Sequence, residues 1–202
     1  MGTHSGFGYP DDRTVHLCID MQRLFAPGGP WATPWMERVL PLVAGIATHA
    51  PERTVFTRFI PPIEPEDMPG TWQHYYRHWR SITRDRLPAG MLELLPPLDD
   101  LAPPAMVIDK ATYSAFGSPA LETLLHKKGV DGLIVTGAET DSCVLATVLG
   151  AVDLGYRVWL VKDAVCSSSD EGHDALIDLY HRRFGRQIQT LTTAEVLETW
   201  RV

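Results

Sequence analysis

The chain has 202 residues, which suits one domain with a full hydrophobic core. Its formal net charge of −7 disfavours a nucleic-acid-binding surface, and no apolar run approaches the ~18 residues that a membrane span requires. Three cysteines without paired spacing, and no signal-peptide pattern, predict a cytoplasmic protein with reduced thiols.

Two regions differ from the rest of the chain in composition. Residues 1–12 are rich in glycine, proline and aspartate and are predicted to form an N-terminal arm. Residues 13–202 are predicted to form one domain with a proline-rich insert at about 60–104. Within the insert, residues 70–86 have a helical pattern.

Short apolar runs alternate with helical patterns along the chain. Strands are predicted at 14–20, 53–59, 106–109, 132–137, 156–162 and 187–191. Helices are predicted from Thr33-Pro34 to about residue 50, and at 118–129, 144–154, 170–184 and 194–200. This alternation predicts an α/β fold, with a parallel sheet covered by helices on both faces.

Three chemically reactive side chains follow three of the predicted strands. Asp20 ends the first strand, Lys110 follows the third, and Cys143 lies between the fourth strand and the next helix. The carboxyl ends of parallel strands lie at one edge of a sheet, so we expect the three to meet there. Free N–H groups and the helix dipole near a helix N-terminus favour a thiolate at Cys143 and can hold an oxyanion.

Each of these residues also has a purely structural interpretation. Alone, Cys143 is consistent with a buried structural cysteine, Asp20 with a turn residue and Lys110 with a solvated lysine. Their coincidence favours chemistry, because a thiolate attacks a carbonyl, a carboxylate moves the proton and an ammonium stabilises both negative charges. His16, on the same face of its strand as Asp20, is predicted to have a core or supporting role.

Three segments resemble the isochorismatase-like cysteine hydrolase superfamily, which includes nicotinamidases, carbamoylsarcosine amidohydrolases and streptothricin hydrolase. The segments are IDMQ at 19–22 with Phe25 downstream, DKATYSAF at 109–116, and TGAETDSCV at 136–144. They occur in the family's order, and the pattern of elements is similar over about residues 14–193.

This resemblance implies both a fold and a site. The fold would be a three-layer α/β/α, Rossmann-like sandwich around a six-stranded parallel sheet in the order 3-2-1-4-5-6. Asp20, Lys110 and Cys143 would form a catalytic triad with Cys143 as the nucleophile. A non-proline cis peptide would join Ala138 to Glu139, and the N–H groups of Glu139 and Cys143 would form the oxyanion hole.

Two comparisons within the family narrow the expected activity. Isochorismatase itself lacks the nucleophilic cysteine, so Cys143 favours a thioester route on an amide, ureide or lactam C–N bond. Nicotinamidases carry an Asp-x-His metal motif after the second strand, where this chain has Thr57-Arg58-Phe59. His74 and His78 have a metal-binding spacing, but no third ligand is evident, so neither metal nor cofactor is expected.

The main hypothesis is therefore a metal-independent cysteine amidohydrolase acting on a small non-peptide molecule. One alternative is a catalytically idle homologue of the same fold that binds a small ligand. Another is a thiol redox or isomerase enzyme, although no Cys-x-x-Cys supports it. Cys18 and Cys166 are expected to be structural.

Aromatic residues are expected to surround the substrate. The candidates are Phe25, Trp31, Tyr113, Phe116, Trp72, Tyr76 and Trp79. The insert also carries one apolar stripe at helical spacing, formed by Trp72, Tyr75, Tyr76, Trp79 and Ile82. Flanking prolines indicate that this segment projects from the domain, so we predict that it contributes to a homodimer or homotetramer contact and borders the pocket.

Overall fold

A computed structural model describes residues 7–202 of the protein. Its centre is a parallel sheet of six strands: β1 (Thr14–Ile19), β2 (Thr54–Phe59), β3 (Met106–Lys110), β4 (Gly132–Ala138), β5 (Arg157–Cys166) and β6 (Ile188–Leu191). Their order across the sheet is β3-β2-β1-β4-β5-β6. The predicted fold class and strand order are confirmed.

Six α-helices accompany the sheet within residues 7–202. They are α1 (Met36–His49), α2 (Thr71–His78), α3 (Pro119–Lys127), α4 (Leu145–Asp153), α5 (Asp170–Arg183) and α6 (Thr193–Thr199). No helix in this described part of the chain is long and apolar enough to cross a membrane. Every residue of β1 and β4 is buried, as expected for central strands of a parallel sheet covered on both faces.

The start of α1 differs from the prediction. The helix begins at Met36, and Thr33 does not cap it, since its hydroxyl is buried without a hydrogen-bond partner. The Thr33 N–H instead donates to the carbonyl oxygen of Phe25 at 2.8 Å. Thr33 and Pro34 therefore belong to the loop between β1 and α1. The hydrogen bond from Thr33 to Phe25 connects two parts of this loop.

Strand β5 is longer than its apolar run predicts. It continues to Cys166, because Val165 and Cys166 pair with Gly137 and Ala138 after an irregularity in the register of β4 and β5. Cys166 is fully buried there, in a strand and not in a loop.

Gly137 allows β4 to approach β1 at the edge of the sheet where the reactive residues lie. Its φ is 109°, and a Cβ atom on it would stand 2.1 Å from the carbonyl oxygen of Ile19. Only glycine fits this position, so the chain can pass β1 closely before it turns towards Cys143.

The insert packs on the domain and does not project from it. Tyr76 of α2 and Ile82 just after it are fully or almost fully buried. The Gln22 side chain holds a later part of the insert, since its amide donates to the carbonyl oxygens of Phe59 and Leu92. The predicted projection is wrong because the chain's own core covers most of the apolar stripe. That reason for expecting an oligomer is removed, and the homo-oligomer stays a prediction.

The described part of the predicted N-terminal arm, residues 7–12, lies against the domain. The Phe7 ring is 5.1 Å from the ring of Trp159 in β5, and Trp159 Nε1 donates to the carbonyl oxygen of Gly8. Trp200 Nε1 donates to the carbonyl oxygen of Asp11. Residues 1–6 of the predicted arm lie outside the described residues.

One ionisable side chain is buried in the middle of the sheet. His16 of β1 is fully buried, with Nε2 2.8 Å from the Thr136 hydroxyl of β4 and Nδ1 3.3 Å from the Thr54 hydroxyl of β2. Burial lowers its pKa to about 3. The neutral imidazole therefore links the three central strands through the two threonines, which agrees with the predicted core position.

This burial predicts how stability changes with pH. The unfolded chain binds a proton at His16 below its ordinary pKa of about 6.5, whereas the folded chain does so only near 3. The stabilisation is thus complete above about pH 6.5 and is lost as the pH falls towards 3. We expect His16 to account for about 2 kcal/mol of the loss in unfolding free energy between pH 7 and pH 5.

Urea denaturation of the wild type and of His16→Gln at several pH values measures this contribution. The slope of unfolding free energy against pH should be shallower in His16→Gln, whereas His126→Gln, a control on the exposed face of α3, should keep the wild-type slope. Parallel wild-type and His16→Gln curves between pH 5 and pH 7 would contradict a neutral buried imidazole.

Candidate active site

Asp20, Lys110 and Cys143 converge at the carboxyl edge of the sheet. Lys110 Nζ lies 2.7 Å from Asp20 Oδ2 and 3.3 Å from Cys143 Sγ. All three residues are buried, with exposed fractions of 0%, 4% and 5% respectively. The three side chains come from different strand ends, and the structure brings them into one contact group.

Asp20 is held in position by the strand beside it. Thr57 of β2 donates its hydroxyl hydrogen to Asp20 Oδ1 at 2.6 Å and accepts the Asp20 N–H at 3.2 Å. Asp20 has a φ of 49°, a left-handed conformation that aspartate tolerates better than most residues. Asp20 Oδ2 makes the ion pair with Lys110 but has no well-aligned hydrogen bond. Oδ2 is therefore the carboxylate oxygen that faces Lys110.

Lys110 reaches the site across an intervening strand. It ends β3, which is separated from β1 by β2, so its backbone is about 9–10 Å from that of β1. The ammonium passes over the ring of Phe59, the residue opposite it in β2, at 4.9 Å from the ring centre. Nζ also donates to the carbonyl oxygen of Thr112. A long side chain is needed at this position because a short one would not span two strands.

The charges of the three groups are interdependent. Burial acts to lower the pKa of Lys110, but the adjacent Asp20 and Cys143 outweigh it and the pKa is raised. For Cys143, burial and the Asp20 carboxylate raise the thiol pKa, while Lys110 lowers it. With Lys110 charged, the buried group is neutral when Asp20 and Cys143 share one proton.

The expectation of a favoured resting thiolate is therefore corrected. The thiol pKa is raised, not lowered, because desolvation and a neighbouring carboxylate together exceed the attraction of Lys110. These two causes favour the protonated thiol at Cys143.

The turn that carries Cys143 is tighter than a simple strand-to-helix connection. The peptide bond between Ala138 and Glu139 is cis, as the resemblance implied. A π-helical turn at Thr140–Val144 follows, and α4 begins only at Leu145. The Thr140 hydroxyl is 2.9 Å from His173 Nδ1, so the start of α5 packs directly on this turn.

The segment before α5 also holds the turn that carries Cys143, through two hydrogen bonds. Ser167 donates its hydroxyl hydrogen to Asp141 Oδ1 at 2.6 Å, and the Ser168 N–H donates to Glu139 Oε1 at 3.0 Å. These two bonds fix the side chains on both sides of Thr140.

A cavity of about 370 Å³ opens above Cys143. That volume is within the range of small-molecule sites. The lining residues are mostly apolar or aromatic: Phe25, Pro30, Trp31, Ala32, Phe59, Tyr75, Trp79, Tyr113, Glu139, Ser142, Cys143 and Ser168. The candidate nucleophile therefore faces a small, largely aromatic chamber.

Four of the seven aromatic candidates line this cavity, namely Phe25, Trp31, Trp79 and Tyr113. Three do not, and these predictions are wrong. Tyr76 is fully buried in the core, and Trp72 packs against Tyr75 and Tyr113 without lining the cavity. Phe116 stacks on Tyr156 at 5.9 Å, away from the cavity.

Several lining residues were missed in the sequence. Tyr75 belongs to the apolar stripe of the insert but was not assigned to the pocket, and Phe59 was recognised only as the end of a strand. Pro30 and Ala32 carry no functional group, and the hydroxyl groups of Ser142 and Ser168 belong to no motif that indicates a pocket. Thr57, which holds Asp20, stands in the sequence only as part of the segment that lacks the metal motif. Its position beside the end of β1 was the signal that could have found it.

Metal ligands are not assembled at this site. Within residues 7–202, no three His, Cys, Asp or Glu side chains are placed to hold a metal ion. The Arg58 guanidinium makes a two-pronged ion pair with Asp109.

Comparison with known proteins places these features in a family. The family model of the isochorismatase domain matches residues 14–192. The maleamate amidohydrolase of Pseudomonas putida is 27% identical over 180 residues, covering 86% of this chain and 80% of that protein. The N-carbamoylsarcosine amidase of an Arthrobacter species is 30% identical over 165 residues, covering 79% of this chain but 61% of that protein.

A solved structure supports the same fold. The cysteine hydrolase from Pseudomonas syringae pv. phaseolicola superposes with a TM-score of 0.79 at 23% identity, covering 92% of this chain and 91% of that one. The family model extends from the start of β1 to just beyond the end of β6 and so includes all six strands. On this match, the chain belongs to the isochorismatase family.

Proposed function

We propose that this protein is a metal-independent cysteine amidohydrolase that cleaves a C–N bond of a small molecule through a thioester. Asp20, Lys110 and Cys143 are its catalytic residues. The observation that carries the proposal is the position of Lys110 Nζ, within 2.7 Å of Asp20 Oδ2 and 3.3 Å of Cys143 Sγ, below an aromatic cavity. The names of two relatives, an amidohydrolase and an amidase, support the reaction class.

Acylation begins with the thiol proton. Asp20 Oδ2 takes the proton from Cys143 as Sγ attacks the amide carbon, so negative charge moves from the carboxylate to the reacting atoms. Lys110 stays charged throughout and stabilises whichever partner is negative. The oxyanion is held by the backbone N–H groups of Glu139 and Cys143.

Collapse of the tetrahedral intermediate breaks the C–N bond. Asp20 returns the proton to the leaving nitrogen, and the acyl group remains on Sγ as a thioester. Asp20 then removes a proton from water, which attacks the thioester carbon through a second oxyanion. The product acid leaves, and the proton on Asp20 returns to Cys143. Thr57 keeps Oδ1 engaged in a hydrogen bond throughout, so that Oδ2 does the proton transfer.

Alkylation and turnover together test the nucleophile. We expect iodoacetamide to modify Cys143 alone in the folded protein, because Cys18 and Cys166 are fully buried. Cys143→Ala should remove turnover on any hydrolysed amide, whereas the matched variant Cys166→Ala should retain it. A substrate panel of maleamate, N-carbamoylsarcosine, nicotinamide and simple aliphatic amides, assayed for release of ammonia or amine, provides the rate.

Two results would contradict the proposal. Full activity of Cys143→Ala would remove its nucleophile. Selective labelling of Cys143 with no hydrolysis across a broad panel of amides, ureides and lactams would favour the idle homologue.

Asp20→Asn should affect alkylation and hydrolysis in opposite directions. The carboxylate raises the thiol pKa, so its removal should increase the rate of alkylation of Cys143 near neutral pH. The same change removes the base, so amide turnover should fall about 10²–10⁴-fold. Lys110→Met should raise the thiol pKa and slow both reactions.

The pH dependence of the alkylation rate provides the thiol pKa of each variant. Each single variant leaves one buried charge without its partner. The double variant Asp20→Asn/Lys110→Met controls for this effect, because it removes both charges of the buried pair. A thiol pKa that is unchanged in both single variants would show that the three groups do not interact.

Thr57 should act as a positioning residue for Asp20. Thr57→Val keeps the side-chain shape but removes the hydrogen bond to Asp20 Oδ1, so kcat should fall about tenfold or more with little change in KM. Thr57→Ser keeps the hydroxyl and should recover most of the rate. Equal kcat values for the Val and Ser variants, measured with one confirmed substrate, would contradict this role.

A further inference from the structure

The cavity above Cys143 has a continuous aromatic wall. Trp31, in the loop before α1, is in contact with four other rings, whose centres lie 6.0–6.2 Å from its own: Phe25, Phe59, Tyr75 and Trp79. Trp79 keeps an exposed fraction of 39%, so part of its ring remains uncovered. The faces of such rings carry partial negative charge and attract cations.

Glu139 carries the one carboxylate among the described residues that line this cavity. No Lys, Arg or His is among these described lining residues. Glu139 Oε1 accepts the N–H of Ser168, and within residues 7–202 no cationic side chain forms an ion pair with it. Its negative charge also contributes to the raised pKa values of Tyr75 and Tyr113, after burial and other causes. The electrostatic effect of the Glu139 carboxylate therefore reaches Tyr75 and Tyr113 in the cavity lining.

Lys110 does not offset this charge. Its ammonium is almost completely buried beneath Cys143, and the Asp20 carboxylate neutralises it at 2.7 Å. The Phe59 ring covers its other side. The lining of the cavity thus combines aromatic faces with a carboxylate that forms no ion pair among the described residues.

We propose that the preferred substrates are amides whose non-reacting end is a cation, such as an ammonium or guanidinium group, and that carboxylates are disfavoured. This inference rests on the proposed function and specifies its substrate class. Trp31 and Trp79 hold the cation by its attraction to their ring faces, and Glu139 supplies the counter-charge. An anionic substrate of similar size finds no basic partner in the lining and is repelled by Glu139.

Charge selectivity of Cys143 modification tests the cavity without requiring turnover. The probes are three methanethiosulfonates bearing a trimethylammonium, a sulfonate or no charge. With each, the thiolate displaces methanesulfinate and forms a mixed disulfide. Rates are divided by those with 2-mercaptoethanol, which removes differences in intrinsic reactivity. We expect the cationic reagent to exceed the anionic one by about tenfold or more in the wild type.

Four variants separate the contribution of the carboxylate from that of the aromatic rings. Glu139→Gln keeps an oxygen for the Ser168 N–H but removes the charge, and should reduce the cation-to-anion ratio several-fold. Glu52→Gln makes the same change at the start of β2, the opposite edge of the sheet, and should leave the ratio unchanged. Trp79→Leu should reduce the preference for the cationic over the neutral reagent, and Trp79→Phe should restore part of it.

A second measurement covers the case in which Cys143 reacts too slowly with all three reagents. Quenching of tryptophan fluorescence by benzylammonium, benzyl alcohol and benzoate should give the same order of affinity, cation first, in wild-type protein and Glu52→Gln. Equal affinities, or a cation preference that Glu139→Gln leaves intact, would overturn the proposal, as would equal normalised labelling rates.

Turnover links this selectivity to the substrate. 4-Aminobutanamide, pentanamide and glutaramate have similar lengths and differ in the charge at the end remote from the amide. We expect kcat/KM to be highest for the cationic amide and to lose this advantage in Glu139→Gln. Charge-selective labelling without hydrolysis of any amide would contradict the proposed function while supporting the cation site. Hydrolysis led by glutaramate would support the function and overturn the cation site.

Discussion

The site depends on the Lys110 side chain, because its ammonium group contacts both Asp20 and Cys143. The strand that carries Lys110 is adjacent to neither of the strands that precede these two residues. An ammonium buried to this extent is stable only with partners that compensate for lost hydration. The structure supplies a carboxylate, a thiol, the Thr112 carbonyl and the face of Phe59. The strand order brings β2 between β3 and β1, and the length of a lysine side chain matches that separation.

The electrostatics of the site follow from the same contact. One buried positive charge accommodates one negative charge, so Asp20 and Cys143 compete for a proton. Burial and the neighbouring carboxylate raise the pKa of the Cys143 thiol, while Lys110 lowers it. Thr57 makes the two oxygens of the Asp20 carboxylate different. Its hydroxyl group donates a hydrogen bond to Oδ1, whereas Oδ2 faces Lys110.

Chemistry and recognition come from different parts of the molecule. Asp20, Lys110 and Cys143, which we propose as the reacting groups, lie at strand ends, whereas much of the cavity wall is built by the loop before α1 and by the insert. Tyr76 and Ile82 anchor the insert in the core, and this fixes Tyr75 and Trp79 at the cavity. Gln22 contributes from the other side by holding residue Leu92 and strand β2 with one amide. The cavity wall is thereby fixed to the domain by buried side chains of the insert and by the Gln22 amide.

Apolar runs, turn residues and reactive side chains at strand ends were sufficient to predict the α/β class, most element positions and the three residues that meet. Family resemblance added the strand order and the cis bond before Glu139. The local sequence pattern does not predict the orientation of the insert, because Tyr75 and Tyr76 are chemically identical neighbours about 100° apart on one helix. Packing alone places Tyr76 in the core and Tyr75 at the cavity. The protonation of Cys143 was also decided by tertiary structure, because helix position predicts a thiolate while burial and the distance to Asp20 reverse that preference.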